Sequence, residues 1–422
     1  MKDAKLGLGL ATLFVAGSMM GSGVYLLPAS LGAVGSSSLL AWFTAIAVAL
    51  LFASVFARLA SDGRGADFIS RIGEAFGSRT AFVAAAFYWL QGVLGNIALA
   101  VATTGYLSAI FPAITGKVTT VVTLGILWSF SLLALFGPRL VARLEGWTLA
   151  LGLIPVLIAA TVGWFWFDPA VFRDSWNVTG TSLSAALPPT VVTILWAFLG
   201  LESAGLAAAM VHNPAVTVPR ATILGVLGAA VVYLSACTMI TGILPASVLA
   251  GSDAPFADAA NRLFGAGLGA FVALCAALRA CGTLGGWILL TAESGRLAVM
   301  VRRPGTAREH GPSPANILAN GALLTVIALL IADASLARQF TVVINAAVIV
   351  MLCVYAIAAA ALFRLRRSGN TQGPDVSVAL GAAGASVAIT IIATQPLEVL
   401  VATAGTLVAA VIAWPLLARR HG

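Results

Sequence analysis

The sequence predicts an all-α integral membrane protein, a single domain over residues 1–422 with twelve transmembrane helices. Two observations lead there. Hydrophobic residues make up 60% of the chain and charged residues 9%, where soluble chains carry about 25% charged residues. Apolar runs of about 20 residues, the length that crosses a bilayer, follow one another with short polar breaks.

The first run, 6–28, is flanked by Lys2 and Lys5 and lacks a small-residue cleavage site, so it reads as a retained span and not as a leader. Its centre is AGSMMGSGVYLLP, Ala16–Pro28. The second, 37–60, ends near Arg58. The third, 80–110, carries YWLQGVLGNIAL, and the fourth is 118–136. The fifth, 144–166, closes on Trp164 and Trp166, which with Trp176 form an interfacial aromatic belt. The sixth, 188–209, holds FLGLESAG, Phe198–Gly205. The seventh is 221–243. The eighth, 266–295, holds ACGTLGGWILL, and the last four are 317–332, 339–363, 376–394 and 397–418.

Charge supplies the orientation. With twelve spans and a cytoplasmic N-terminus, 18 Lys and Arg residues fall in inside loops and tails and 4 in outside loops, with Arg279 left inside a span. That bias obeys the positive-inside rule, puts both termini in the cytoplasm and accounts for the net charge of +8 without a nucleic-acid partner. Cys237, Cys275, Cys281 and Cys353 lie in apolar spans without zinc-site spacing. His212, His310 and His421 lie in loops or the tail, so no metal or other cofactor is expected. Phosphate-loop, zinc-protease and nucleophile-elbow motifs are absent, which argues against an enzyme.

Glycine and polar residues mark where helices should break. Gly17, Ser18, Gly21, Ser22 and Gly23 fall near mid-membrane, either as a close helix crossing or as an interrupted helix. FLGLESAG repeats the pattern in the sixth span, around Gly200. Paired interruptions in two halves point to a transporter site built from broken helices. Spans one to five (about 6–166) and six to ten (about 188–363) then form an inverted repeat, with helices eleven and twelve (about 376–418) outside it. Amides freed at such a break suit a carboxylate; freed carbonyls suit an ammonium.

Glu202 and Arg279 are the charges well inside spans, and intramembrane charge marks function by default. Trp196 and Trp287 sit mid-span, where an indole face can hold an organic cation. The glycines before Trp287 would let its helix approach another closely. Arg279 is expected to pair with a carboxyl group and snorkel to the interface, with an outer vestibule as the alternative.

GSMMGSGVYLLP, YWLQGVLGNIAL, GWFWF followed by SWN, LWAFLGLESA and GTLGGWILL together resemble the bacterial basic amino acid and polyamine antiporters of the amino acid, polyamine and organocation superfamily. The similarity covers nearly the whole chain. It implies a homodimer of twelve-span subunits in the bacterial inner membrane, with substrate held between spans one and six. Ser22 and Gly23 match positions that hold a substrate carboxylate, within an unwound stretch that includes Ser18, Met19 and Gly21 and faces Gly200. Trp196 and Trp287 match gating aromatics, Asn96 a polar contact on span three, and Tyr88, Glu202 and Tyr355 a cytoplasmic gate whose glutamate is implicated in pH sensing.

Some positions depart from the arginine/agmatine branch: Ser18 replaces asparagine, Ala347 replaces serine, and Gln91–Gly92 replaces alanine–cysteine, all around the substrate head group. Asn345 and LWAFLGLESA lean toward the putrescine/ornithine branch. The expected activity is proton-sensitive exchange of a cationic amino acid (arginine, ornithine or lysine) for its decarboxylated amine (agmatine, putrescine or cadaverine). The alternatives are a neutral amino acid permease of the same fold and a non-transporting amino acid sensor.

Overall fold

The structure is a computed structural model that describes residues 7–21, 23–60, 67–203, 211, 213–300, 314–367, 376–397, 401 and 405. Its regular elements are helices: α1 (Leu8–Met19), α2 (Gly23–Gly32), α3 (Ser38–Ala60), α4 (Phe68–Phe76), α5 (Ser78–Ile110), α6 (Lys117–Ala134), α7 (Pro138–Ala160) and α8 (Pro169–Asp174) lead to α9 (Leu183–Leu195). Then come α10 (Pro214–Ile243), α11 (Ala246–Ala250), α12 (Pro255–Phe264), α13 (Ala266–Met300), α14 (Pro314–Leu330), α15 (Leu336–Arg367) and α16 (Val376–Ala393). Short 3₁₀ turns follow α7 at Val162–Trp166 and α9 at Trp196–Phe198.

Among the described residues, eight helices are long and apolar enough to cross a membrane, or nine if the bent pair α1–α2 counts as one span. Leu183–Phe198 and Pro314–Leu330 are shorter apolar helices. Most of the predicted run 397–418 lies outside the described residues. Large apolar side chains project outward, with Phe165 at 86%, Phe136 at 79% and Trp147 at 74% exposure. So much outward apolar surface needs a lipid solvent.

Several boundaries move for local reasons. The fifth predicted run begins six residues early, because Pro138 starts α7 at a position where its missing N–H is no loss. The short helices α4 and α12 were not predicted, since they are amphipathic and not uniformly apolar. Asp67 caps α4 by accepting from the Ser70 amide at 2.9 Å. Gly77, at φ +87°, ends it.

The core is built around α5 and α13, which cross the centre side by side with α15 beside them. The glycines of ACGTLGGW serve the close approach expected of them: Gly282 faces Thr148 and Gly286 faces Glu145, both of α7, and Gly285 faces Phe130 of α6 and Val141 of α7. Gly152 of α7 returns the space, lying against the stem of Arg279.

A connection outside the spans ties two of these layers together. Asp253, between α11 and α12, accepts the Ala337 amide at 3.1 Å and so caps the start of α15. Burial pushes its carboxyl above the ordinary 3.8, and Asp258 adds to this, while the Ala337 amide opposes it. A carboxyl raised in the folded state favours folding at low pH, and that contribution is lost as pH rises from 3.8 through the raised value. Asp253→Asn, which keeps an acceptor for Ala337, is therefore expected to melt at or above the wild-type temperature at neutral pH. It should also remove this acid-range slope, which melting curves of detergent-purified protein across the pH range would test.

Candidate functional site

Two interruptions meet at the centre. α1 ends at Met19, Met20 and Gly21 leave helical geometry, and the chain resumes as α2 at Gly23 with a 46° change of direction. Ser22, a predicted substrate contact, lies outside the described residues. In the sixth run, α9 passes through its 3₁₀ turn to an extended Leu199, and Gly200 then takes φ +105°. Residues with a Cβ avoid that conformation. A Cβ on Gly200 would stand 3.0 Å from the Ser18 carbonyl oxygen, so the two interruptions touch backbone to backbone.

Ser18 stitches them together. Its Oγ lies 2.8 Å from the Val15 carbonyl, 3.3 Å from the Gly200 carbonyl and 2.7 Å from Ser203 Oγ. The carbonyls freed at the end of α1 are also occupied. Arg279 Nε donates to Met20 O at 2.7 Å and Nη2 to Gly17 O at 3.3 Å. This corrects the expectation of a snorkelling arginine. Arg279 is 1% exposed, cannot reach an interface, and sits where a cation favours the C-terminal end of a half-helix. Those carbonyls are therefore not open to a substrate ammonium.

Glu145 of α7 lies on the same α7–α13 contact, its carboxylate against Gly286, seven residues along α13 from Arg279. Sequence reading placed it at the very edge of a span. Because α7 starts at Pro138, Glu145 stands two turns inside the helix.

Trp196 occupies a slot made by glycine. A Cβ on Gly23 would fall 2.7 Å from its Nε1, and one on Gly95 would fall 3.5 Å from its Cη2, so the indole lies between two bare backbones. Phe340 meets it edge-on at 6.4 Å. Beside it is a cavity of about 30 Å³ lined by Ser18, Met19, Gly21, Gly23, Gln91, Gly95, Leu99, Trp196, Leu199, Thr283 and Trp287. A second cavity of about 420 Å³ also carries Ser18 and Trp287 in its wall, together with Gly200, Tyr88, Glu145 and Glu202. Trp287 thus stands between a small central chamber and a wider vestibule.

Two of the three predicted gate residues, Tyr88 and Glu202, line that vestibule, and the third, Tyr355, is hydrogen-bonded to Glu202. The Glu202 carboxylate accepts from Tyr355 Oη at 3.0 Å and from the Gly200 amide at 3.2 Å. Tyr88 lines the vestibule with it. Glu202 is 2% exposed, and its polarity is tolerated because two donors, one side chain and one backbone amide, converge on it.

Asn96 lies close by but does not line either cavity. Its Nδ2 donates to Thr291 Oγ1 at 3.1 Å, and its Oδ1 is buried without a partner. Sequence reading missed Glu145 and Thr283, and it took Gln91 only as a departure from a pattern. The signal in each case was a polar residue facing an apolar helix contact.

The end of the chamber away from the vestibule is shut. Tyr25 of α2 packs edge-on to Tyr106 at 5.5 Å and to Phe256 at 5.2 Å. Tyr106 Oη donates to the Tyr25 carbonyl at 2.7 Å, and Tyr25 Oη reaches the Gly152 carbonyl. Ser36 and Ser37 amides donate to the carbonyls of Ser175 and Trp176 at 2.8 and 2.7 Å. Among the described residues no group of three or more His, Cys, Asp or Glu could hold a metal ion. What remains is a chamber of aromatic faces, amides and hydroxyls, suited to holding and releasing a small polar molecule.

Comparison with known proteins supplies a context. Residues 6–416 match the amino acid permease family. The chain is 37% identical to the cadaverine/lysine antiporter of Escherichia coli over 69% of its own length and 66% of that protein's, just short of two thirds. It is 31% identical to the putrescine transporter PotE of Escherichia coli, with 90% of this chain and 88% of PotE aligned. Against the PotE of Haemophilus influenzae it is 30% identical over 87% and 86%.

Proposed function

The chain belongs to the amino acid permease family, and on that premise we propose that it exchanges a cationic amino acid for its decarboxylated amine by alternating access. It is a multi-pass membrane protein and a transporter rather than an enzyme. The observation that carries the exchanger reading is the chamber between two broken helices, lined by Trp196 and Trp287 and sharing Ser18 and Trp287 with the wall of a vestibule bearing Glu145 and Glu202. An indole face attracts an organic cation, and two carboxylates in a wall draw cations toward it. Cadaverine and lysine are named for one relative and putrescine for another, and ornithine is the amino acid whose decarboxylation gives putrescine.

The finer architecture follows from the same reading. Twelve spans form a five-plus-five inverted repeat with helices one and six broken, the subunits pair as homodimers in a bacterial inner membrane, and both termini are cytoplasmic. The 18-to-4 distribution of basic residues supports that orientation. The vestibule then opens to the cytoplasm, and the Tyr25–Tyr106–Phe256 seal closes the outer side. Ser22 and Gly23 hold the substrate carboxylate at the start of α2, Trp196 and Trp287 hold its aliphatic part, and Tyr88, Glu202 and Tyr355 form the inner gate.

A neutral substrate loses its main support once Arg279 is seen on the carbonyls of Met20 and Gly17, outside the lining of the chamber. Counter-transport in proteoliposomes tests the proposal. Uptake of labelled lysine or ornithine should be stimulated at least tenfold by internal cadaverine or putrescine. Binding of these compounds without flux, or exchange of neutral amino acids alone, sinks it. In the same assay Glu202→Gln, which keeps an acceptor for Tyr355 and Gly200 beside Tyr88 and across the vestibule from Glu145, should preserve exchange and flatten its pH profile. An unchanged profile removes the proton role.

A further inference from the structure

We propose that an apolar cavity beside the Tyr25–Tyr106–Phe256 seal binds one acyl chain of a phospholipid from the outer leaflet, and that the seated chain holds the seal shut. The sidedness and the effect on transport rest on the exchanger reading; the binding does not. The cavity holds about 230 Å³ between α7, α10, α12 and the start of α13. Among the described residues it shares no lining side chain with the central chamber or the vestibule.

Small residues and an irregular turn make the space. Pro155 interrupts α7, and the helix then gives way to the 3₁₀ turn Val162–Trp166, where Gly163 presents bare backbone to Met239. The amphipathic α12 supplies another wall: Phe256, Ala259, Ala260, Leu263 and Phe264 recur at helical spacing and all line the cavity, whereas Asp258, Asn261 and Arg262 do not. Its two alanines leave room that larger side chains would fill. Apart from the Trp166 indole, no lining side chain carries an N–H or O–H group, so the site offers water too few partners to hold it.

The mouth decides which apolar molecule enters. Ile158 of α7 and Phe271 of α13 line the cavity and are each 52% exposed, on helices long and apolar enough to span the membrane. The cavity therefore opens onto the surface that lipid covers, and acyl chains are the apolar material at its entrance. An apolar cavity of about 150 Å³ takes up benzene, so this one accommodates several methylenes. Trp166 meets Phe264 edge-on at 4.9 Å in its wall. Trp166 also belongs to the aromatic belt, which puts one end of the cavity at headgroup level. Arg262 is exposed on α12, two residues before Phe264, and a guanidinium suits a phosphate. The outside loops hold just 4 basic residues, and this one stands on the helix that walls the cavity.

Phe256 links the cavity to the seal. It is 3% exposed, lies in the cavity wall and meets the Tyr25 ring at 5.2 Å. Opening the outer side must part Tyr25 from Phe256, and the cavity is room into which Phe256 can swing. A chain packed there takes up that room, and a close-packed interior yields little.

The test uses phosphatidylglycerol with a photoreactive diazirine in one acyl chain, in proteoliposomes containing the full chain. Peptide mapping should find crosslinks on residues 154–166 and 256–272 about fivefold above those on α6 and α16, which expose Val121 and Ile389 to the same lipid. Ala260→Phe fills the cavity and should cut this labelling about fivefold, the scale of one or two methylenes no longer buried. Ala260→Leu should do so in part, and Arg262→Gln should lower it about twofold. In exchange assays Ala260→Phe mimics the seated chain, so its maximal rate should fall about threefold while substrate KM and the melting midpoint hold.

Labelling no higher than on α6 and α16, or undiminished in both Ala260 variants, overturns the lipid site. Loss of labelling in Ala260→Phe with wild-type exchange overturns its hold on the seal. Enriched labelling in a wild type that exchanges none of the cationic substrates removes the exchanger reading and the transport effect with it, and leaves the lipid site standing.

Discussion

Arg279→Leu is expected to destabilise the protein by about 3–5 kcal/mol, the cost of stripping one partner from a buried charge arrangement. Two groups lose their counterpart at once. The carbonyls of Gly17 and Met20 are left at the end of α1 without donors. Leucine fills only part of the volume. Arg279→Lys should recover a fraction of the loss, since it restores the charge but not the fork that reaches both carbonyls. Exposed Arg338, treated the same way, should shift stability by no more than about 0.5 kcal/mol. Melting of purified protein is the measurement. An unchanged midpoint for the leucine variant would falsify the claim that this guanidinium holds the break of the first span.

Gly23→Val should have the second large effect, this time on transport. A Cβ at Gly23 would lie 2.7 Å from Trp196 Nε1 and 2.9 Å from Cδ1, closer than side chains normally approach. The indole cannot retreat, because Gly95 and Phe340 bound it on its other sides. Overpacking of this kind costs about 1–3 kcal/mol. Falling on the step that moves Trp196, it would slow exchange by up to about a hundredfold. The variant should still insert and purify, since the strain is confined to the chamber. Wild-type exchange rates in Gly23→Val would show that Trp196 does not need its slot, and would remove it as a gate.

Much of this arrangement is written plainly in the chain. Apolar runs of membrane length are visible because lipid demands them, and α3, α5 and α15 fall within a few residues of their predicted limits. The two breaks are visible because only glycine-rich, polar sequence at mid-span tolerates freed backbone, and Gly200 indeed takes a conformation that requires glycine. The short helices α4 and α12 escaped because their amphipathic pattern resembles polar loop when the search is for membrane-length runs. Glu145 escaped because its distance into α7 depends on where Pro138 starts the helix.

Sequence by itself determined that this is a helical membrane protein of the amino acid permease family, with interruptions at Met20–Gly23 and around Gly200 and aromatic residues beside them. Those properties are local: they depend on composition, spacing and backbone freedom. Tertiary structure alone decided where the lone intramembrane charges go. Arg279 turned from a residue without a role into the cap of α1, and Gln91 turned from a departure in a motif into part of the chamber wall. The carbonyls that Arg279 reaches lie 259 and 262 residues away along the chain. Hydrogen bonds over such separations exist only after the helices have packed, and no periodicity along the chain can record them.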